Sequence, residues 1–178
     1  LNTSSRIVRD GRTYSYNLYE SENDILISQT DVRQIQLAKA ALYAGVKLLM
    51  DRMGIKATDK IRLAGAFGSH ISTEHAMVIG LLPDCEVGNV SSAGNSAGTG
   101  ARIALLSAEG RKEIEEVVRR IEKIETAVES NFQQYYVEAM AFPNSKDSFS
   151  KIFQVIAPPN PKSIPQVTRS RRSRRLAR

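Results

Sequence analysis

Apolar and polar positions alternate over residues 6–18, with Asp10-Gly11 in the middle of the stretch. A period of two is typical of a β-strand with one buried face, and Asp-Gly between two such runs is a strong signal for a tight hairpin. A third short run covers residues 24–28. The start of the chain therefore predicts a small antiparallel arrangement of strands.

The apolar period lengthens to that of an α-helix after residue 30. Thr30 and Asp31 are predicted to cap this helix, with Gln34 at the capping-box distance from Asp31, and Gly54 is predicted to end it. Apolar residues recur every three or four positions along one face, namely Ile35, Ala38, Leu42, Val46 and Leu49. We expect this face to be buried.

Glycine-rich segments interrupt the middle of the chain. Residues 60–66 predict a strand, and residues 67–69 predict a turn. Ser72 is a good N-cap for a helix that reaches residue 79. A loop over residues 84–92 then leads into the glycine-rich segment 93–100.

Three further elements are predicted after this segment. Residues 101–107 form an apolar helix, and a charged amphipathic helix follows Gly110. Residues 124–129 form a strand, and Ser130 caps a last helix that Pro143 stops. The whole pattern predicts an α/β protein in which helix outnumbers strand.

The composition agrees with one globular domain: of the 178 residues, 42% are apolar and 25% are charged. Four prolines between positions 158 and 165 oppose regular structure. We therefore predict a domain over residues 1–156 and a Pro- then Arg-rich disordered tail over residues 157–178. Because no apolar run reaches about 18 residues, we expect no membrane span. The chain starts with Leu1 and lacks a signal-peptide pattern, so we expect a piece of a longer protein. The single cysteine favours a cytoplasmic location.

The net charge of +6 comes from the last ten residues, which hold six of the 25 basic residues and no acidic one. Without them the remaining 19 basic residues balance 19 acidic residues. A neutral domain argues against nucleic-acid binding, which usually places charge on the folded surface. The tail is expected to be a solvated charge run, with polyanion binding as the alternative.

Cysteine and histidine are too few for a metal or cluster site within this chain. Cys85 is the one cysteine, and an iron–sulfur cluster needs about four. His70 and His75 match no metal-binding pattern, so the predicted metal ligands are none. Cys85 is expected to be inert, and no catalytic residue can be assigned.

Two glycine-rich turns are the best candidates for ligand contact. The first is Leu63–Gly68, at the end of a predicted strand, and the second is Gly94–Gly100, which enters a helix. Glycine allows a ligand to approach the backbone, whose N–H groups can bind phosphate or ribose oxygens. The alternative is that these glycines only allow close packing. Neither turn has the Gly-Lys-Ser/Thr of a Walker loop or a dinucleotide fingerprint.

Four sequence blocks in this order resemble the C-terminal domain of the reductive activators of corrinoid proteins. The blocks are SQTDVRQIQLAKAALYAGVKLL, KIRLAGAFGSHI, IGLLPD and VGNVSSAGNSAGTGARIALLS. These activators belong to the acetate and sugar kinase, Hsp70 and actin (ASKHA) superfamily. The closing segment FQQYYVEAMAFPNSKDSF is similar to that of the activators of methylamine methyltransferase corrinoid proteins.

The resemblance implies a mixed sheet flanked by helices, as in the C-terminal lobe of an actin, Hsp70 or sugar-kinase-like (ribonuclease H-like) fold. It also implies ATP and magnesium in a cleft shared with another lobe. The candidate cofactor-binding residues are Gly65, Ala66, Phe67 and Gly68 of the first turn, and Gly94, Asn95, Ser96 and Gly98 of the second. The second turn resembles a connecting segment that acts as a hinge.

In the family that is resembled, ATP hydrolysis drives an electron from an iron–sulfur cluster to Co(II) corrinoid, which gives Co(I). The superfamily's first phosphate hairpin and the cluster cysteines are absent from the sequence, so we expect both elsewhere in a parent protein. The implied partners are a nucleotide and the corrinoid protein of a methyltransferase system, and a homodimer is left open. The alternatives are a sugar- or acetate-kinase-like phosphotransferase and a non-catalytic interaction or dimerisation module.

Overall fold

Five strands and seven α-helices make up residues 5–158, the part of the chain described by this computed structural model. The strands are Ile7–Asp10 (β1), Thr13–Tyr19 (β2), Ile25–Ser28 (β3), Ile61–Ala64 (β4) and Val90–Gly94 (β5). The helices are Gln29–Met53 (α1), Ala66–His70 (α2), Thr73–Val78 (α3), Ser96–Leu106 (α4), Ala108–Arg120 (α5), Phe132–Glu138 (α6) and Ile152–Val155 (α7). The predicted α/β class, with helix in excess of strand, is confirmed.

The strands form one antiparallel and one parallel sheet. Strands β1, β2 and β3 are antiparallel neighbours in that order, and the hairpin predicted at Asp10-Gly11 is present. Strands β4 and β5 are parallel, with Ile61 opposite Val90. The prediction of a loop over residues 84–92 is wrong at its end, because β5 begins at Val90. Its sequence, VSSAG, has weak strand propensity, so pairing with β4 determines its conformation.

The N-cap of helix α1 lies two residues before Thr30, the first of the predicted caps. Ser28 is the N-cap: its Oγ accepts a hydrogen bond from the Asp31 N–H at 3.2 Å, and the Asp31 carboxylate accepts one from the Ser28 N–H at 2.8 Å. The Ser28 hydroxyl also donates to the Asp31 carboxylate at 2.7 Å, and this hydrogen bond, followed by the one from the Ser28 N–H, lowers the pKa of Asp31. The prediction of Thr30 and Asp31 as caps is therefore wrong, since Asp31 is the third residue of a capping box. Gly54 ends the helix with a φ of 67°, as predicted.

The buried face of α1 is not the one that its apolar pattern predicts. Leu42 and Leu49, on the predicted face, are 56% and 51% exposed. The residues buried instead lie on another side of the helix and include Lys39, Ala40 and Tyr43. Helix α6 and the segment after it cover this side, and the Gln36 side chain donates a hydrogen bond to the Met140 carbonyl. The helix is apolar on more than one side, so its period alone does not identify the covered face.

Several boundaries differ from the predictions. The predicted turn at residues 67–69 lies within helix α2, and α4 begins at Ser96 rather than at residue 101. Residues 124–129 form no strand. Helix α6 has Asn131 rather than Ser130 at its N-cap position, without a side-chain cap. Helix α7 was not predicted, and the predicted tail lies outside the described residues from position 159 onward.

The hydrophobic core lies where α1, α3, α6, β5 and the segment up to α7 meet. Its buried members are Ala40, Tyr43, Ala76, Met77, Leu82, Cys85, Val90, Ala139, Phe149 and Ile152. This core holds the carboxyl-terminal segment against α1 and supports the parallel pair of strands. Helices α4 and α5 contribute no member to it.

Candidate functional site

The two glycine-rich turns lie side by side at the carboxyl ends of β4 and β5. Ala64 is opposite Gly94 in the parallel pair, and the Gly65 N–H donates a hydrogen bond of 2.8 Å to the Gly94 carbonyl. Each strand passes directly into a helix, α2 after β4 and α4 after β5. In open α/β sheets, ligands bind outside the carboxyl ends of the strands. The pairing of β4 with β5 thus brings the two predicted turns to the edge of the sheet at which a ligand would be expected.

In the first turn, Gly65 and Gly68 meet different requirements. Gly65 has a φ of 110°, which disfavours any other residue, and a Cβ built there would face open space. Gly68 is buried, and a Cβ built there would lie 2.8 Å from the Leu63 Cβ. Gly68 is thus required by the packing of α2 against β4. Its predicted contact with a ligand stays a prediction.

In the second turn, Gly94 has a φ of 64° and open space where a side chain would be. Its N–H donates to the Ser92 Oγ at 3.1 Å. Asn95 is the N-cap of α4, because its Oδ1 accepts a hydrogen bond of 3.0 Å from the Gly98 N–H. A Cβ at Gly98 would meet the Asn95 amide at 2.9 Å. Asn95 and Gly98 therefore have a local capping role, while the side of Gly94 where a Cβ would lie is open.

A groove with a volume of about 360 Å³ borders the first turn. Its walls are mostly apolar and come from α1, β4, α2 and the segment before Cys85. Phe67 lines it and is 72% exposed, and Gly68 lines it beside Phe67. Arg62 and Thr58 add polar groups to an otherwise apolar wall. A concave apolar surface with a few polar groups is the usual form of a small-molecule site.

The sequence predictions did not include a polar cluster between α1 and the segment that follows α6. The Tyr43 hydroxyl donates a hydrogen bond of 2.6 Å to the Asp147 carboxylate, and the Lys47 ammonium lies 3.4 Å from the same carboxylate. Burial, followed by this hydrogen bond, raises the pKa of Tyr43. The Asn144 Oδ1 accepts hydrogen bonds from the Lys146 and Asp147 N–H groups.

Lys39 belongs to the same side of α1 and is almost fully buried. Its ammonium donates a hydrogen bond to the Ala141 carbonyl and lies 5.1 Å from the centre of the Phe142 ring. Burial lowers the pKa of Lys39 to about 8. Lys39, Tyr43 and Lys47 recur at intervals of four, so one helical face carries them. That spacing was the signal in the sequence from which the cluster could have been predicted. It is easily missed, because a helix face that carries polar residues is usually exposed to solvent.

The remaining candidate residues have structural partners. Asp84 accepts hydrogen bonds from the Lys151 N–H at 2.9 Å and the Ile152 N–H at 3.1 Å, and so caps α7. The His75 Nδ1 lies 2.8 Å from the Ser72 hydroxyl. Cys85 is fully buried in the core. Among residues 5–158, no three His, Cys, Asp or Glu side chains are grouped as a metal site would require.

Within the same described range, no helix combines the length and the apolar character that crossing a membrane would need.

Comparison with known proteins gives three consistent matches. A family model described as the C-terminal domain of RACo, the ASKHA domain, matches residues 1–153. The corrinoid activation enzyme RamQ of Eubacterium limosum is 47% identical over 116 residues, which are 64% of this chain and 20% of that protein. A solved structure of a reductive activator for a corrinoid, iron-sulfur protein is similar with a TM-score of 0.70 and 32% identity, over 78% of this chain and 23% of that one.

This chain spans about a fifth of the length of these relatives. The family match extends over all four sequence blocks on which the resemblance was based, so the resemblance is confirmed. The similarity in structure agrees with it, because the α/β arrangement is shared with a reductive activator. The chain belongs to the family of C-terminal ASKHA domains found in RACo-type corrinoid reductive activators.

Proposed function

We propose that this domain forms one wall of an ATP-binding cleft in an enzyme that reduces Co(II) corrinoid to Co(I) on a corrinoid protein of a methyltransferase system. The observation that carries the proposal is the hydrogen bond of 2.8 Å between Gly65 and Gly94, which joins the two glycine-rich turns at one strand edge. Family membership and the similarity to RamQ support the corrinoid part of the proposal.

The glycine-rich edge suits a nucleotide for two physical reasons. Gly65 and Gly94 both have positive φ and open space in the Cβ direction, so a ligand can approach their backbone. The groove beside Phe67 offers apolar area for a base, next to the turn whose backbone would contact the sugar or phosphates. Ala66 directly follows Gly65, and Asn95 and Ser96 directly follow Gly94, so these three residues lie at the same edge. The second turn, at the entrance to α4, would act as the hinge.

The residues of this chain fit some of the implied cofactors and not others. ATP fits the glycine-rich edge, and when bound it would supply the free energy of its hydrolysis. Magnesium would have to be held by the nucleotide phosphates and by residues outside the described range, within which no acidic cluster occurs. An iron–sulfur cluster does not fit, because the single cysteine of the chain is buried. We therefore assign no electron-transfer step to these residues.

The proposal extends to the boundaries and the location of the domain. Residues 1–156 would be the part that completes the nucleotide cleft, together with a lobe from the rest of a longer protein. The cytoplasm is the proposed location, because Co(I) is strongly reducing and the one cysteine indicates no need for an oxidising compartment. Neither nucleic acid nor a membrane is a proposed partner.

A chimeric enzyme tests the proposal. The fifth of RamQ that matches this chain is replaced by the chain itself, and formation of Co(I) is followed by absorbance with and without ATP and magnesium. We expect ATP-dependent reduction. A folded chimera that reduces Co(II) equally well without ATP, or not at all, would count against the proposal. ATP turnover stimulated by a small-molecule acceptor instead would favour the phosphotransferase alternative.

Gly94→Asn, with Gly54→Asn as the matched control, separates ligand contact from folding. Asn tolerates positive φ better than other non-glycine residues, so strain is similar at φ values of 64° and 67°. Neither position has an atom within 4 Å of a built Cβ. Gly94→Asn should weaken the stabilisation of the chimera by ATP, because its side chain occupies the ligand's approach. Equal thermal responses of the two variants to ATP would overturn the assignment of Gly94.

A further inference from the structure

A polar cavity of about 230 Å³ lies beyond the amino end of β4, outside the site described above. It is formed by α1, by the segment between α1 and β4, and by the segment that leads into α7. Thr58 and Pro83 also border the apolar groove, but no residue of the two glycine-rich turns lines the cavity. The proposed nucleotide cleft therefore leaves this cavity without a role.

Cationic groups and hydroxyl groups line the cavity together. The lysines are Lys47, Lys56 and Lys151, and the hydroxyl groups belong to Thr58, Ser148 and Ser150. An ammonium group offers three hydrogen-bond donors and no acceptor, and a hydroxyl group can donate one hydrogen bond. A concave surface with this set of donors suits an anion that accepts several hydrogen bonds.

Two carboxylates also line the cavity, and both already accept hydrogen bonds. Asp84 accepts them from the backbone at the start of α7, and Asp147 accepts one from Tyr43 and lies 3.4 Å from the Lys47 ammonium. The ammonium groups of Lys56 and Lys151 have no hydrogen bond or ion pair with any residue between positions 5 and 158. Three lysines against two aspartates leave the cavity with a net charge of +1.

One wall of the cavity has an unusual backbone conformation. Phe149 has a φ of 46°, which is uncommon for any residue other than glycine. Its side chain is buried in the core, 6.2 Å from the Tyr43 ring between centroids, while Ser148 and Ser150 on either side of it line the cavity. Strained conformations of this kind cluster at sites that bind ligands. The anchored Phe149 thus holds a serine on each side at the cavity wall.

We propose that this cavity binds a phosphate group, either as free phosphate or as the phosphate of a small ester. Lys56 and Lys151 neutralise its charge, and the hydroxyl groups of Ser148 and Ser150 donate hydrogen bonds to its oxygens. Lysine binds phosphate as a point charge, so it needs less exact geometry than arginine does. Because the cavity is open and its net charge is small, we expect a dissociation constant of about a millimolar for inorganic phosphate.

A nuclear magnetic resonance titration of the 178-residue chain with inorganic phosphate tests this site. At an ionic strength held constant with sodium chloride, we expect shifts of the backbone amide signals of residues 56–58 and 148–151. Lys56→Gln and Lys151→Gln should each raise the dissociation constant about three- to tenfold, because each removes a charged donor. Lys112→Gln is the matched control, since it removes the same charge from an exposed position of α5. Circular dichroism checks that the variants remain folded.

Asp147→Asn gives a second test, with an effect of opposite sign. The amide oxygen can still accept the hydrogen bond from Tyr43, but the negative charge beside Lys47 is lost. Phosphate should therefore bind about threefold more tightly, since one repulsive charge is removed and the Lys47 ammonium is released. Glu113→Gln is the control, because it removes a negative charge from α5 and should leave the dissociation constant unchanged.

Glycerol 3-phosphate distinguishes the two sources of the phosphate group. Binding at least about tenfold tighter than that of inorganic phosphate would support an ester as the ligand, and equal affinity would support free phosphate.

Four results would overturn the proposal. They are no shifts well above millimolar phosphate, the same shifts with sodium chloride alone, shifts confined to the glycine-rich turns, and lysine variants that bind phosphate as well as Lys112→Gln does. No sample contains ATP, so these results do not depend on the proposed nucleotide cleft.

Discussion

Replacing Gly68 by alanine tests how α2 is placed against β4. The added Cβ would lie 2.8 Å from the Leu63 Cβ and 3.2 Å from the Leu63 carbonyl carbon and oxygen. None of these atoms belongs to the end of a flexible side chain, so none can rotate away. Strand β4 is in turn held by its pairing with β5 and by the hydrogen bond between Gly65 and Gly94. Either α2 or β4 must shift to accommodate the methyl group.

The size of the effect follows from two opposing contributions. Alanine is the better helix former by about 1 kcal/mol, which favours the variant. Overpacking a site that cannot relax costs about 1–3 kcal/mol. Because the contact at Gly68 is with backbone and Cβ atoms, we place the cost at the upper end. The expected result is a net loss of about 1–2 kcal/mol in the free energy of unfolding.

Urea denaturation followed by circular dichroism measures this loss. Gly45→Ala and Gly100→Ala are the matched controls, because both glycines are helical and have no atom within 4 Å of a built Cβ. In each control the free energy of unfolding should rise by about 0.5–1 kcal/mol from helix propensity alone. If Gly68→Ala were as stable as the unmodified chain, α2 could not be seated against Leu63 as described. The packing explanation for Gly68 would then be wrong.

Two further predictions concern the polar side of α1. Burial lowers the pKa of Lys39 from 10.5 to about 8, so between these pH values the unfolded chain binds more protons and the free energy of unfolding rises with pH. Urea titrations at pH 8 and pH 10 should show a rise of about 2 kcal/mol in the unmodified chain, and Lys39→Met should abolish it. Equal pH slopes for the two chains would contradict the explanation. Tyr43→Phe removes the hydrogen bond to Asp147 and should lower the free energy of unfolding by about 1–2 kcal/mol. Tyr14→Phe, at an exposed tyrosine of β2, should change it little, and equal losses at both positions would show that the Asp147 contact is not the cause.

Local signals in the sequence were sufficient for some elements. Asp10-Gly11 determines its hairpin within a few residues, and Gly54 ends α1 through its own backbone conformation. The covered face of α1 was not predictable in this way. Gln36 contacts Met140 and Tyr43 contacts Asp147, each 104 residues away along the chain. A helix with apolar residues on several sides gives no sign of which side such a distant segment will cover.

The candidate site was predictable as two separate turns but not as one edge. The first turn was identified from glycine at the end of a predicted strand, and the second from glycines that lead into a predicted helix. Their contact depends on the parallel pairing of β4 with β5, and β5 consists of one valine followed by small residues with weak strand propensity. The family resemblance supplied the relation between the turns that the pattern could not. The short helix α7 was missed for a similar reason, since its cap is Asp84 from a distant part of the sequence.

The direction of each missing Cβ distinguishes glycines that serve the fold from glycines that leave room for a ligand. At Gly68 and Gly98 the Cβ would meet atoms of the same chain within 3 Å, so packing or capping alone accounts for glycine there. At Gly65 and Gly94 it would meet nothing within 4 Å, and only the positive φ requires glycine. If Gly68→Ala lowers both activity and stability, the loss of activity would therefore be explained by the effect on folding. If Gly94→Asn lowers stability no more than Gly54→Asn does, but weakens the stabilisation by ATP, the effect would be explained by loss of contact with the ligand.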